Sequence, residues 1–391
     1  MYQTINFVTP NIIFGMNVLA QIGEQAKGLN AKNALLVTGP NVLKTGHADV
    51  VVNSLKENGI ACQVKVTSRN TPEPTSSVAE EVAQTAREVN ADCIIGMGGG
   101  SVMDVAKMAS ALLTNPLKVR DYFGKEKLPN RGIPTIMIPT TAGTGAEVTK
   151  HAIFLDEEIN VKKAVASSKL LPNVAIVDPM LTLSCPPSVT AASGIDAFLH
   201  AAEPFVSKAA NEITDSIALS AISIITRNLG KAFADGSDLD ARYNMSLGSL
   251  MAGLVLNNAG TSLVHALAYP IGGEFHLNHG RSLTPILLSC FDYITVAKAD
   301  KLTLLAEAMG EDVSGLPQRE SARLALKAIK DLLVKCELPT CLNDCGITDT
   351  SRVDSWAVDG HAEQRLLSRC ARNLSVEDCK RVYLNSFSCC I

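Results

Sequence analysis

The sequence predicts an α/β domain over residues 1–185 followed by an all-α domain over residues 186–391. Three observations carry that expectation. Short β-branched runs alternate with amphipathic stretches in the first half, long helical patterns fill the second, and 391 residues exceed what one hydrophobic core usually supports. The strand candidates, in order, are "NALLVT" (33–38), "CQVKVT" (62–67), "DCIIGMG" (92–98), "IPTIMIPTT" (133–141) and "NVAIVDP" (173–179). The amphipathic stretches Ala48–Asn58 and Ser76–Val89 lie between them, so the order β-α-β-α points to a largely parallel sheet of the nucleotide-binding type. The character changes at "LSCPPSVTAASG" (183–194), beyond which helical periodicity runs over Asn211–Leu229 and Arg319–Cys336.

Composition narrows the function. With 47% hydrophobic and 19% charged residues the chain is an aliphatic globular protein, and disorder is excluded. A net charge of −4 without a long run of Lys or Arg argues against nucleic acid and against an anionic membrane surface, so a small-molecule ligand is expected. The opening residues carry no basic region and no long apolar stretch, and no apolar run approaches the roughly 20 residues that cross a bilayer. A cytoplasmic location follows as an expectation. The eleven cysteines then read as reduced thiols. Most fall after residue 335, including the terminal pair Cys389 and Cys390. Cys336, Cys341 and Cys345, with four and three residues between them and no nearby histidine, do not have the spacing of a zinc site.

Two glycine turns carry the first chemistry. "CIIGMGGGSVMDVAK" (93–107) runs from a buried strand through Gly98, Gly99 and Gly100 into a helix, with Ser101 and Asp104 spaced like a capping box. Bare backbone and free N–H groups at a helix start suit a pyrophosphate. The dinucleotide pattern GxGxxG read from Gly96 fails at Ser101, and no P-loop lysine follows. A tight structural turn is the alternative. "IPTIMIPTTAGTGAEVTK" (133–150) repeats the design as strand, then Thr140, Thr141 and Thr144 among glycines, then a helix.

Histidines carry the second. Asp196 and His200 stand four apart in "SGIDAFLHAAEPFVS", on one helix face. "HALAYPIGGEFHLNHG" (265–280) adds His265 in an apolar helical pattern, and His276 and His279 after a loop carrying Gly272 and Gly273. Asp196, His200, His265 and His279 would make an N₃O set suited to a divalent first-row metal, Fe²⁺ or Zn²⁺, with positions open to substrate. A solvated carboxylate and packed core histidines are the alternative.

"GGGSVMDVAK", "PTTAGTGAEVTK", "GIDAFLHAAEPFVS" and "NNAGTSLVHALAYPIGGEFHLNHG", in that order, resemble the iron-containing (group III) alcohol dehydrogenase family. The likeness runs from "ALLVTGPNVLKTG" (34–46) to "EQRLLSRCARNLSVEDCKRVY" (363–383). It implies a Rossmann-like N-terminal domain and a helical C-terminal one, the dehydroquinate synthase-like fold. It implies a homodimer that moves a hydride reversibly between NAD or NADP and a small alcohol or aldehyde. It places the metal on Asp196, His200, His265 and His279, where it would polarise the substrate oxygen. The pyrophosphate would lie on Gly98, Gly99, Gly100 and Ser101, with Asp104 in the same segment. Thr140, Thr141 and Thr144 would border the nucleoside side, and Lys163 would reach the phosphates. Glycerol dehydrogenases and dehydroquinate-synthase-like lyases share the fold with other ligand sets; a non-catalytic scaffold is the remaining alternative.

Three positions depart from the family pattern. Gly39 stands where many NAD-preferring relatives carry an aspartate that repels a 2′-phosphate, so NADP tolerance is expected. Tyr269 stands where many relatives have a proton-relaying histidine. Its unperturbed pKa of about 10 makes it a poor base, which leaves His276 as the better-tuned group. Arg281 replaces an aliphatic residue and could bind an acidic substituent on the substrate; a salt bridge to an acidic neighbour is the alternative.

Overall fold

A computed structural model of the chain describes residues 4–67, 74–158 and 161–388. Cys389 and Cys390 lie outside the described residues, and the nine described cysteines are free thiols. The chain divides into two compact units, Val8–Cys185 and a second that begins at Pro186 and includes the N-terminal segment ending at Phe7.

The first unit is built on a six-stranded, wholly parallel sheet. Its strands are β1 (Asn11–Phe14), β2 (Asn33–Thr38), β3 (Ala61–Val66), β4 (Cys93–Gly98), β6 (Thr135–Pro139) and β9 (Val174–Val177), in the order β1-β9-β6-β4-β2-β3. Central strands of a parallel sheet are covered on both faces. Accordingly β4, β6 and β9 are buried at every residue, β2 at all but its first, whereas the edges β1 and β3 are half exposed. A smaller sheet, in the order β5-β8-β7, joins β5 (Gly124–Lys125), β7 (His151–Asp156) and β8 (Val161–Ala166). The sequence reading did not include β1, β5, β7 and β8. β5 spans only two residues, and the others are mostly half buried, their runs lacking the continuous apolar character of the central strands.

The helices of this unit are α1 (Ile22–Gly28), α2 (Pro40–Leu43), α3 (His47–Glu57), α4 (Ser76–Glu88) and α5 (Gly100–Leu112). Helix α5 is buried from Val102 through Leu112; most of that stretch is apolar, and Asp104, Lys107 and Ser110 are its buried polar residues. One core cluster gathers α4 and α5 with Leu35, Ile94 and Met137; another gathers α1 and α3 with Leu36, Ile95 and Ile176. Alternate residues of each strand thus face opposite helical layers.

The second unit is helical: α6 (Pro187–Phe205), α7 (Glu212–Ala234), α8 (Leu239–Ala259), α9 (Leu263–Glu274), α10 (His279–Met309), α11 (Gln318–Lys335), α12 (Val353–Ala362), α13 (Gln364–Leu367) and α14 (Val376–Asn385). Among the described residues no single helix is long and apolar enough to cross a membrane. Gly272 and Gly273, expected in a loop, belong to the last turn of α9, and only residues 275–278 connect it to α10.

Candidate metal centre and cofactor turns

Helix α6 supplies the base of the centre. Asp196, His200 and Glu203 fall at intervals of four and three, so one buried face presents all three. His265 comes from the first turn of α9 and His279 is the first residue of α10. Asn278 accepts the Arg281 N–H at 3.0 Å and so caps α10 directly before His279. Gly280 lets α10 approach α6: a Cβ there would lie 2.0 Å from the Ala192 carbonyl oxygen.

The Nε2 atoms of His200, His265 and His279 stand 3.3, 3.5 and 3.4 Å from Asp196 Oδ1. One donor atom from each of the four residues lies within 4.8 Å of the other three. The His200 and His265 rings stack with centroids 5.2 Å apart. Asp196, His200 and His265 are buried, while the His279 side chain is 31% exposed and marks the open side. Asp196 Oδ1 and His265 Nε2 are buried yet make no hydrogen bond. Orphaned atoms of this kind are costly unless something else satisfies them. Burial works to raise the Asp196 carboxyl, but His200 and His279 beside it hold it well below the usual carboxylate range. Burial would depress the His265 imidazole, yet Glu203 and Asp196 carry it up to about 9. The four donor atoms lie close enough to share one ion, and a set of three imidazoles and one carboxylate fits a divalent first-row metal.

Glu203 went unremarked in the sequence. Its Oε2 meets His265 Nδ1 and its Oε1 accepts the Val264 N–H at 2.6 Å. The available signal was a second carboxylate, three residues after His200 in a largely apolar helical run, which must find a partner when buried.

His276 lies in the α9–α10 connection, exposed, with φ of +51°. Tyr269 sits one turn beyond His265 on α9 and is half buried. Arg281 is exposed, near Cys345, and forms no ion pair with any carboxylate among the described residues, so the salt-bridge alternative does not form.

In the other unit the two glycine turns meet. Thr140 N–H donates to Gly98 O at 3.0 Å, and a Cβ on Gly100 would come within 2.9 Å of the Thr144 side chain. The expected capping box is absent, because the helix begins one residue before Ser101, with Gly99 at the cap position in extended conformation. Asp104 instead accepts the Ile153 N–H at 2.9 Å and pairs with Lys107 at 2.9 Å. Lys107 Nζ, fully buried, also donates to Ala146 O at 3.0 Å and to His151 O, tying α5 to the second turn. The helix expected after that turn is only a single 3-10 turn, Ala146–Val148, because the chain passes almost at once into β7. The first backbone N–H groups of α5, at the half-buried Gly100 and Ser101, have no partner within the helix, an arrangement that suits an anion. Gly39 precedes α2 in extended conformation, and Lys163 pairs with Phe154 across β8 and β7.

Residues 9–179 match the family model "Iron-containing alcohol dehydrogenase", and residues 190–387 match "Fe-containing alcohol dehydrogenase family, C-terminal". The chain belongs to the iron-containing alcohol dehydrogenase family. It is 38% identical over 377 residues to long-chain-alcohol dehydrogenase 1 of Geobacillus thermodenitrificans, covering 96% of this chain and 94% of that one. To the NAD-dependent methanol dehydrogenase of Bacillus methanolicus it is 33% identical over 343 residues, 88% of this chain and 90% of the relative. A crystal structure of 1,3-propanediol oxidoreductase superposes with a TM-score of 0.94 at 33% identity, covering 98% of this chain and all of that one. This member of the iron-containing alcohol dehydrogenases is therefore a metal-dependent oxidoreductase of alcohols and aldehydes that uses NAD(H).

Proposed function

We propose that this dehydrogenase interconverts a small primary alcohol and its aldehyde, including members with an acidic substituent, with the 1–185 region binding the dinucleotide and the 186–391 region holding the metal and the substrate. The observation that carries this reading is the convergence of three histidine Nε2 atoms on the orphaned Asp196 Oδ1. Asp196, His200, His265 and His279 hold ferrous iron, which supplies a Lewis acid to the substrate oxygen. Gly98, Gly99, Gly100 and Ser101 seat the pyrophosphate, Thr140, Thr141 and Thr144 border the nucleoside, and Lys163 reaches toward the phosphates. Asp104 serves these contacts at one remove, through Lys107 and β7. His276 carries the proton, with Tyr269 lining its path. Arg281, free of acidic partners among the described residues, meets the substrate's anionic group. The protein works in the cytoplasm as a homodimer.

Anaerobic reconstitution with Fe²⁺ and a panel of neutral and acidic short aldehydes tests the reading through NADH oxidation. Iron-dependent turnover that vanishes in Asp196→Asn is expected, with Arg281→Leu weakening the acidic aldehydes alone. Equal weakening of acidic and neutral substrates would sink the role of Arg281, and full turnover in Asp196→Asn would sink the metal site.

A further inference from the structure

We propose that Glu203 is a positioning residue of the metal centre, fixing the tautomer and ring angle with which His265 presents Nε2 and so setting how long the centre keeps its ion. The proposal rests on the reading of Asp196, His200, His265 and His279 as ligands. Its basis is the pair of contacts made by one carboxylate, to His265 Nδ1 through Oε2 and to the Val264 N–H at 2.6 Å through Oε1.

Each contact has a physical cause. The first N–H groups of a helix have no partner in that helix, and Ser262 at the cap position of α9 makes no side-chain cap bond. Glu203 takes over that task from α6, placing negative charge at the positive end of α9. Only 2% of the residue is exposed, so solvent offers it little alternative partner. The carboxylate, already accepting from Val264, accepts again from His265. The imidazole proton is therefore placed on Nδ1, and the lone pair is left on Nε2, the atom that stands 3.5 Å from Asp196 Oδ1. Carboxylate partners of ligand histidines act in this way at metal sites generally. Asp196, His200 and Glu203 share one face of α6, so a single helix provides two ligands and the orienter of a third.

Glutamine exposes the point because it is nearly isosteric with glutamate. If its carbonyl oxygen keeps the Val264 N–H, its NH₂ meets His265 Nδ1. The ring must then accept there and carry its proton on Nε2, where it no longer offers a lone pair. The alternative flip leaves Val264 facing an NH₂. Either way Glu203→Gln pits helix capping against ligand presentation, whereas Glu203→Asp keeps the charge and loses only reach.

The test uses the full-length chain loaded with Zn²⁺, a redox-inert probe. Zinc release into excess chelator is timed for wild type, Glu203→Asp and Glu203→Gln, and the melting of each metal-free chain is recorded. The expected result is release about 10–100-fold faster in Glu203→Gln, with partial rescue in Glu203→Asp. Melting of the metal-free chains should not follow that order. Release as slow as wild type in Glu203→Gln overturns the proposal, as does a loss explained wholly by unfolding of the metal-free chain. Should the glutamine variant not fold, ring ¹⁵N shifts of zinc-loaded wild type decide: a protonated Nδ1 on His265 is expected, and a bare Nδ1 overturns the proposal. A wild-type chain that holds no zinc overturns the ligand reading itself, which the wild-type release curve reveals before any variant is compared.

Discussion

Gly280 packs so closely on Ala192 that an added Cβ would stand 2.0 Å from the Ala192 carbonyl oxygen. The obstacle is helix backbone and cannot rotate away, so Gly280→Ala must push α10 from α6. Because His279 is the preceding residue, the displacement moves a candidate ligand. The substitution is expected to cost about 1–3 kcal/mol as overpacking and to shed metal on dialysis. Thermal melting and metal analysis check the two effects, and a variant that keeps its metal would separate helix spacing from ligand placement.

Lys107 is fully buried and donates to three backbone carbonyls, of Ala146, Thr149 and His151, as well as pairing with Asp104. Lys107→Met leaves the Asp104 carboxylate uncompensated, which typically costs about 3–5 kcal/mol. Urea unfolding should show that loss. The affinity for NADH should fall alongside it, since the lysine ties α5 to the turn carrying Thr144.

Glu147 gives the first unit a pH-dependent stability. Burial, opposed by its own backbone and by Lys107, raises its carboxyl from 4.5 to about 7, and its Oε2 has no hydrogen-bond partner. The folded state thus holds the proton more tightly than the unfolded state. Its stabilising effect is complete below about 4.5 and is lost as pH rises through about 7, a difference of about 3 kcal/mol. Wild type should therefore lose stability between pH 5 and 8 relative to Glu147→Gln, as followed by melting temperature across those pH values. Parallel curves for the two proteins would refute this.

A side chain is accommodated at Gly39, where an added Cβ meets only Val102 Cγ2 at 3.8 Å and the backbone is extended. Wild type should accept NADPH within a hundredfold of NADH, and Gly39→Asp should cut kcat/KM for NADPH by at least about tenfold through repulsion of the 2′-phosphate. Steady-state kinetics with both cofactors measures the ratio; an unchanged ratio would place Gly39 away from the ribose.

His276 holds φ of +51°, a left-handed backbone that asparagine tolerates well. His276→Asn keeps that backbone and removes the imidazole. If the ring relays the proton, turnover falls by on the order of 10² while metal content is unchanged. Retained turnover would leave only a conformational role.

The parts of this protein legible in the sequence share one property: a local pattern had a single physical meaning. Runs such as "CIIGMG" are apolar without interruption because a central parallel strand is covered on both faces, so β2, β4, β6 and β9 could be read within two residues. Asp196 and His200 could be paired because a helix repeats every 3.6 residues. The capping box of Ser101 and Asp104 failed on the same kind of evidence, since Gly99 offered an earlier start and β7 and Lys107 claimed the carboxylate.

The sequence by itself determined the alternation of strands and helices, the family resemblance and the inventory of candidate ligands. Only the tertiary structure decided that β1 lies beside β9 rather than β2, that the two glycine turns touch, and that Glu203 meets His265. The reason is separation along the chain. Periodicity and spacing report forces between near neighbours, whereas Gly280 against Ala192, or Glu203 against His265, are contacts of close packing between helices. Such contacts depend on backbone approach to within an ångström, which no local pattern encodes.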